Sequence, residues 1–268
     1  MAASFVSRSV FLRGPMLILS MALSIICAGN AASETGGAPT EVGTALLIKR
    51  TVTGTLGEEK RELKEGGRVH RDEYLETGKD SRAELKLDDQ TKLALGPSAG
   101  LKLDTFVLGD SSSAASIGLN FVKGTFRFIT GDQKKESYRI ETPSATIGVR
   151  GTVFDVYVDE RGETLILLHE GEVDICSRAR TRRRHNSIGR IVHVTVAGLL
   201  SDPIKFTKGL IPGVTVARAF PFVGRELIID PLKRLDAREI VEPADKATRA
   251  LREGTQPIER AIRRALPF

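Results

Sequence analysis

The feature that most constrains the fold is an alternation of apolar and polar residues, with a period of two, from Ala45 to Ile175. Ala83, Leu85 and Leu87 alternate with charged residues, and the pattern resumes after the polar turn Asp88–Gln90. Successive side chains of a β-strand point to opposite faces, so this period indicates strands with one buried face. Many short strands separated by turn residues predict a mainly β fold. An antiparallel β-sandwich, a roll and a β-solenoid all fit this alternation.

The N-terminal segment has a different pattern. Arg8 and Arg13 precede an apolar run of 13 residues, Met16–Ala28, which is followed by Gly29–Ala32. A basic segment, an apolar segment and small residues are typical of a secretory signal peptide, whereas crossing a bilayer takes about 20 apolar residues. We predict a signal peptide at 1–31, cleaved near Ala31, a periplasmic or secreted location, and no transmembrane helix in the mature chain. Retention of the segment as an anchor is the alternative.

The balance of charge changes near Cys176. Residues 32–175 contain 19 Lys and Arg against 25 Asp and Glu, a net charge of −6, whereas residues 176–268 contain 19 against 9, a net charge of +10. We therefore predict a β domain at 40–176, an arginine-rich loop or linker at 177–190, an additional β segment at 191–231, and a helical basic tail at 232–268. Cys176 is the only thiol left after signal cleavage, so no intramolecular disulfide is expected.

Six arginines and no acidic residue lie between positions 178 and 190. Guanidinium groups suit carboxylates and phosphates, so the run is a candidate contact for a lipid head group, an acidic polysaccharide or another protein's acidic face. A solvated loop is the alternative. No aromatic residues are interleaved to stack bases, which argues against nucleic acid. The candidates are Arg178, Arg180, Arg182, Arg183, Arg184 and Arg190.

Signatures of catalysis are missing from the sequence. None of the four histidines lies at helix or strand spacing from a second His or Cys, and there is no nucleophile elbow, phosphate loop or calcium loop. His169 and Glu170 are neighbours on a predicted strand, so their side chains should point to opposite faces. We predict no enzyme activity, no catalytic residues, no metal and no cofactor. An envelope hydrolase with a site assembled from distant residues is the alternative.

The segment from Thr142 to Val156 stands out within the alternating region. Pro143 removes a backbone donor and fixes the entry to a strand. Gly148 and Gly151 bracket Arg150, which indicates a bulge or a close approach of backbones.

The pattern Thr-Pro-x-Ala followed by Val-Arg-Gly-Thr-x-Phe-x-Val resembles the central motif of FecR domains. Asp88–Ser98, Gly124–Phe126 and Glu170–Val173 resemble three neighbouring motifs of that family, in the same order. The resemblance covers about residues 42–176 and implies a periplasmic, non-catalytic β domain that acts in signal relay or envelope interactions. Its motif residues, expected to serve the backbone and core or else to contact a ligand, are Thr142, Pro143, Ala145, Val149, Arg150, Gly151, Thr152, Phe154, Glu170 and Gly171.

Two departures from the family pattern matter. Fewer than 16 residues precede the apolar run, so we expect a stand-alone form without the cytoplasmic anti-sigma segment. Asp89 stands where the family usually has Gly. The sequence thus predicts an exported FecR-like protein that acts in envelope signalling or recognises a protein or ligand. Binding of a polyanion through the arginine run is an alternative function.

Overall fold

The structure is a computed structural model that describes residues 38–107, 116–131 and 138–243, without the side chains of 105–107, 116–117 and 150. These ranges hold fourteen strands and two short helices, which confirms the predicted mainly β fold. The strands are β1 Glu41–Lys49, β2 Val52–Leu56, β3 Glu59–Glu62, β4 Arg68–His70, β5 Tyr74–Thr77, β6 Arg82–Leu87, β7 Lys92–Leu95, β8 Gly100–Val107, β9 Ser116–Ile129, β10 Tyr138–Glu141, β11 Ala145–Val158, β12 Thr164–Ser177, β13 Arg182–His185 and β14 Ile191–Val194. The helices are α1 Val216–Ala219 and α2 Ala237–Ile240.

The strands form one sheet whose main path runs β13-β12-β11-β10-β9-β7-β6-β1-β4. Strands β8, β5, β2 and β3 branch from β9, and β14 pairs with β12. The pairing of β9 with β10 is parallel, and the other pairings of the described strands are antiparallel.

The hairpin of β6 and β7 shows how the alternation produces the sheet. Leu85 pairs with Leu93, and both are buried. In the turn, the carboxylate of Asp89 accepts hydrogen bonds from the N–H (3.0 Å) and the hydroxyl (2.6 Å) of Thr91. Gln90 adopts the left-handed conformation at φ 70°. The turn therefore forms with aspartate at position 89, because the following residue supplies the positive φ.

The long ribbon of β11 and β12 folds back on itself. A straight 14-residue strand would span about 40 Å. Yet Ser144, just before β11, is hydrogen-bonded to Thr164, which pairs with Val158 at the far end of β11. The register shifts between Arg150 and Phe154, where the ribbon bends. The sheet is thus a roll with an apolar core between two layers.

We call these two layers the exposed layer and the covered layer. The exposed layer consists of β10, residues 145–150 of β11, residues 173–177 of β12, and β13. The covered layer consists of β6, β7, residues 124–129 of β9, residues 153–158 of β11, residues 164–168 of β12, and β14. Buried side chains from both layers, such as Ile147 and Phe154, share one core.

The chain after Cys176 differs from the prediction. The interpretation of 177–190 as loop or linker needs correction, because β12 continues past its bend and β13 pairs with it. In 191–231, only β14 forms a strand. Elsewhere in this predicted β segment, Thr215 caps α1, and reciprocal hydrogen bonds between Leu227 and Asp230 close a turn. In the predicted helical tail at 232–268, α2 is short, and residues 244–268 lie outside the described residues.

The described part of the chain has no domain boundary at Cys176. The described residues from Pro39 onward form one compact unit. A second apolar cluster joins Leu165 and Leu167 of β12 to Phe206, Phe220 and Ile240. The C-terminal segment from 204 to 240 therefore packs on the outer side of the covered layer.

Candidate functional site

The start of the central motif closes the roll through buried hydroxyl groups. Ser144 Oγ donates to Thr164 Oγ1 (2.7 Å), which donates to Thr142 Oγ1 (3.1 Å). Thr142 Oγ1 also accepts the N–H of Ala145 at 3.0 Å. Pro143 lies against Gly162, where an added Cβ would be 2.8 Å from the proline Cβ. These residues tie the beginning of β11 to the turn before β12.

Two facing glycines form the bend of the ribbon. Gly151 and Gly171 have φ values of +59° and +78°, in the region that side chains with a Cβ disfavour. A Cβ on Gly171 would lie 2.3 Å from the carbonyl oxygen of Gly151. Thr152 next to the bend donates its N–H to Thr130 Oγ1 at 2.8 Å. The bulge that the sequence suggested near Arg150 is therefore built from Gly151 and Gly171.

The apolar motif residues lie in the core. Ala145, Val149 and Phe154 are buried, and the ring of Phe154 lies 5.3 Å from that of Phe128. Arg150 belongs to β11, but its side chain lies outside the described residues. Apart from the side chain of Arg150 and from Glu170, the predicted motif residues serve the fold itself, in the core, the closing hydroxyl contacts or the bend.

His169 and Glu170 do not converge. His169 is buried and its Nε2 lies 3.1 Å from Asp155 Oδ2. Glu170 is exposed and accepts a hydrogen bond from Arg234 Nη1 at 2.6 Å. The two side chains therefore enter different ion pairs, and the hydrolase alternative gains no geometric support from them.

A buried ion network lies on the outer face of the covered layer. Arg127, 1% exposed, donates to both carboxylate oxygens of Asp155 at 2.7 and 2.9 Å. Arg127 Nη2 lies 3.0 Å from His169 Nε2, and Arg127 Nη1 lies 3.5 Å from Asp230. Burial by itself would raise the pKa of Asp155, but Arg127 and His169 outweigh it and lower that pKa to about 2.

The C-terminal segment covers this network and supplies part of it. Glu84, fully buried on β6, accepts the N–H of Ile229 at 3.1 Å. The guanidinium of Arg127 lies 5.9 Å from the centre of the Phe222 ring. Thr125 Oγ1 donates to the carbonyl oxygen of Ala219 at 3.1 Å. The sequence carries no local signal of this network, because Arg127 and Asp155 occupy the outward positions of their strands, where alternation predicts exposure to solvent.

The six candidate arginines occupy different environments. Arg178 and Arg180 lie in the turn between β12 and β13, and Arg182 begins β13; all three are exposed. Arg183 pairs with Asp202 (2.9 Å) and Arg184 with Asp174 (3.1 Å). Arg190 is half-buried, and its backbone carbonyl oxygen lies 3.1 Å from His185 Nε2, at hydrogen-bond distance. Within 38–107, 116–131 and 138–243, Arg178, Arg180 and Arg182 have no acidic partner.

The hairpin of β12 and β13 leaves one edge of β13 unpaired by the described strands. Ser177 donates its N–H to Thr181 at 2.9 Å, which makes these two residues a hydrogen-bonded pair. Hydrogen-bonded and non-hydrogen-bonded pairs alternate along an antiparallel ladder. Arg183, opposite Ile175, therefore bonds to β12, whereas the backbone groups of Arg182 and Arg184 point away from it.

A shallow groove runs beside this hairpin. Its volume is about 370 Å³, and it is lined by Asp174–Cys176 of β12 and Arg182–Arg184 of β13. Cys176 is a free, half-buried thiol opposite Arg182. On the inner side of β13, His185 is buried, and this burial lowers its pKa.

A larger cleft was not anticipated from the sequence. It has a volume of about 650 Å³ and lies where α1 meets the β domain. Lys79, Lys123 and Arg218 line it together with Asp159 and Glu160. Lys123 is bound to Glu76 at 2.8 Å, so this cleft carries mixed and partly paired charges. It is lined by residues from five separate stretches of the chain, which no local sequence pattern could reveal.

Two further features bear on function. Among the described residues, no three or more His, Cys, Asp or Glu side chains are grouped so as to hold a metal ion. None of the helices in the described part of the chain is long and apolar enough to cross a membrane.

Comparison with known proteins gives one family match. Two crystal structures of a candidate anti-sigma factor from Parabacteroides distasonis, at 2.50 and 1.65 Å resolution, are similar at a TM-score of 0.38 and 14% sequence identity. The similarity covers 48% of this chain and 57% of theirs, so this chain spans just over half of their length. No curated protein matches the chain. Residues 73–174 match the family described as FecR protein, and they lie within the range covered by the sequence motifs.

Proposed function

We propose that this chain is an exported, non-catalytic FecR-domain protein that acts in envelope signalling by recognising another protein. The observation that carries the proposal is the FecR match at 73–174. Since most of the described motif residues serve the fold itself, we expect the surrounding surface to recognise the partner protein. The exposed arginines of the β12–β13 hairpin are the part of that surface best suited to a carboxylate-bearing partner.

Export is supported by the signal-like pattern of residues 1–31. The test is a fusion of alkaline phosphatase, which is active only outside the cytosol, to the C-terminus of the full chain. A β-galactosidase fusion at the same position is the matched control, because that enzyme is active only inside. We expect phosphatase activity from the full chain and none when residues 1–31 are deleted. Galactosidase activity alone would reject export.

Signalling is tested in the source bacterium by measuring transcripts in three strains: wild type, deletion, and deletion complemented with the chain. We expect a defined group of transcripts to change in the deletion and to return on complementation. Identical transcripts in all three strains, under conditions that challenge the envelope, would reject the signalling role.

Polyanion binding is the second candidate function. Arg178, Arg180 and Arg182 favour it, because they are exposed and have no acidic partner in the described ranges. Heparin or vesicles of anionic lipid should then bind at low salt and dissociate as salt rises from about 0.1 to 1 M, which shortens the screening length from about 10 to 3 Å. Replacing Arg182, Arg183 and Arg184 with serine should weaken this binding, and unchanged affinity at low salt would reject it.

A further inference from the structure

Two edge strands on the same side of β12 have different surroundings. The edge of β14 is occupied, because Ile191 and Ile204 exchange hydrogen bonds of 2.8 and 2.9 Å. No strand among the described residues pairs with the corresponding edge of β13. The N–H and C=O groups of Arg182 and Arg184 face this edge. It is thus a template on which another extended segment can form a ladder.

The charge of this edge limits what can pair with it. Arg182 and Arg184 lie two residues apart, so their side chains share one face, and Arg178 and Arg180 lie in the adjoining turn. A second copy of β13 would bring arginines opposite arginines, and like charges that face each other across strands are destabilising. A segment with carboxylates at alternate positions would instead place each one near Arg182 or Arg184.

We propose that β13 binds an extended acidic segment of a partner protein, which adds a strand to the exposed layer. This inference rests on the proposed function, since it names the class of protein that is recognised. The backbone of β13 supplies hydrogen bonds, and Arg180, Arg182 and Arg184 supply charge complementarity. A lipid head group or a glycan could satisfy the arginines but has no peptide backbone to pair with the edge.

The probe is a fluorescent synthetic peptide of about nine residues, with glutamate at alternate positions and valine or threonine between. Its binding to the purified full chain is followed by fluorescence anisotropy. Removing two charges in R180S/R182S should weaken binding at least about 10-fold, equivalent to about 1.4 kcal/mol. The matched control is R225S/R238S, which removes two exposed arginines far from the hairpin in sequence and should change affinity by about twofold or less, through general electrostatics alone.

Two modified peptides separate strand pairing from charge. One is N-methylated on the alternate residues that would donate to β13, and the other on the intervening residues that face away. Both keep the full charge, so a loss of at least about 10-fold with the first peptide alone supports strand pairing, through the lost backbone hydrogen bonds.

Three outcomes would overturn the inference: no binding of the unmodified peptide, equal binding of both methylated peptides, or equal sensitivity of the two double variants. If heparin or anionic vesicles displace the peptide, and both methylated peptides bind equally well, the arginines are assigned to polyanion binding. If the peptide fails to bind while the fusion and transcript experiments succeed, the edge strand is rejected and the proposed function stands. Failure of those experiments rejects the proposed function, whatever the peptide does.

Discussion

The outer faces of the two layers carry similar residues but differ in their exposure to solvent. On the covered layer, Arg127 lies opposite Asp155, and both are buried beneath the C-terminal segment. On the exposed layer, Arg184 lies opposite Asp174, and their side chains are 55% and 48% exposed. The same strand, β12, runs through both layers. The difference shows that the chain covers one outer face with its own residues and leaves the other accessible to a partner.

The largest expected effect is a loss of stability when a buried arginine, rather than an exposed one, is replaced. R127L would leave the carboxylate of Asp155 buried without its bidentate partner, which should lower the free energy of unfolding by about 3–5 kcal/mol. The matched variant R139L removes an exposed ion pair to Glu141 (2.9 Å) on the exposed layer and should cost about 1 kcal/mol or less. Urea unfolding of both variants tests this, and equal losses would contradict the contrast between the two faces.

The bend that separates the layers is tested at its glycines. G171A would force a Cβ into a left-handed backbone and against the carbonyl of Gly151, so we expect a loss of at least about 2 kcal/mol. At Gly148, by contrast, a Cβ would meet only Asp174, at 3.7 Å or more, and G148A should change stability by about 0.5 kcal/mol or less. Thermal or urea unfolding measures both variants. A neutral G171A would show that the ribbon does not need this bend.

Acid should destabilise the covered face through Asp155. The folded state lowers the pKa of this carboxyl from 3.8 to about 2, so the stabilisation is complete above pH 4 and is lost as the pH falls from about 4 to 2. The loss amounts to about 2 kcal/mol. Unfolding measured against pH should show this slope in the wild type and a shallower one in D155N. Identical slopes in this window would contradict the assignment.

The smallest effect is expected at the hairpin. R180S/R182S removes exposed side chains without acidic partners in the described part of the chain, so stability should change by about 0.5 kcal/mol or less. Circular dichroism and urea unfolding establish this, and they also provide the folding control for the peptide experiment. A loss comparable with that of R127L would mean that these arginines hold the fold together.

Local patterns predicted the elements that short-range physics decides. The period of two identified the β6–β7 hairpin, since apolar side chains such as Leu85 and Leu93 must share a face. The glycines around Arg150 indicated a bulge, because glycine tolerates the backbone that a bulge requires. The FecR resemblance was confirmed by the family match at 73–174.

Long-range contacts decided the rest. Arg127 and Asp155 occupy outward positions, and their burial depends on a segment about 60 to 100 residues further along the chain, as the contact of Arg127 with Asp230 shows. The charge of the arginine run predicts a loop or linker at 177–190. Residues 182–185 instead form β13, because β12 continues past Gly171 and because His185 supplies a buried position on β13.

Amide hydrogen exchange resolved by residue tests the central claim most directly, namely that the chain seals the edge of β14 and leaves that of β13 open. In the free protein, the amides of Ile191 and Arg183 should be protected, whereas those of Arg182 and Arg184 should exchange at least about 10-fold faster. Adding the acidic peptide should slow exchange at Arg182 and Arg184 and leave Ile191 unchanged. Uniform protection along β13 in the free protein, or no change with saturating peptide, would contradict the account.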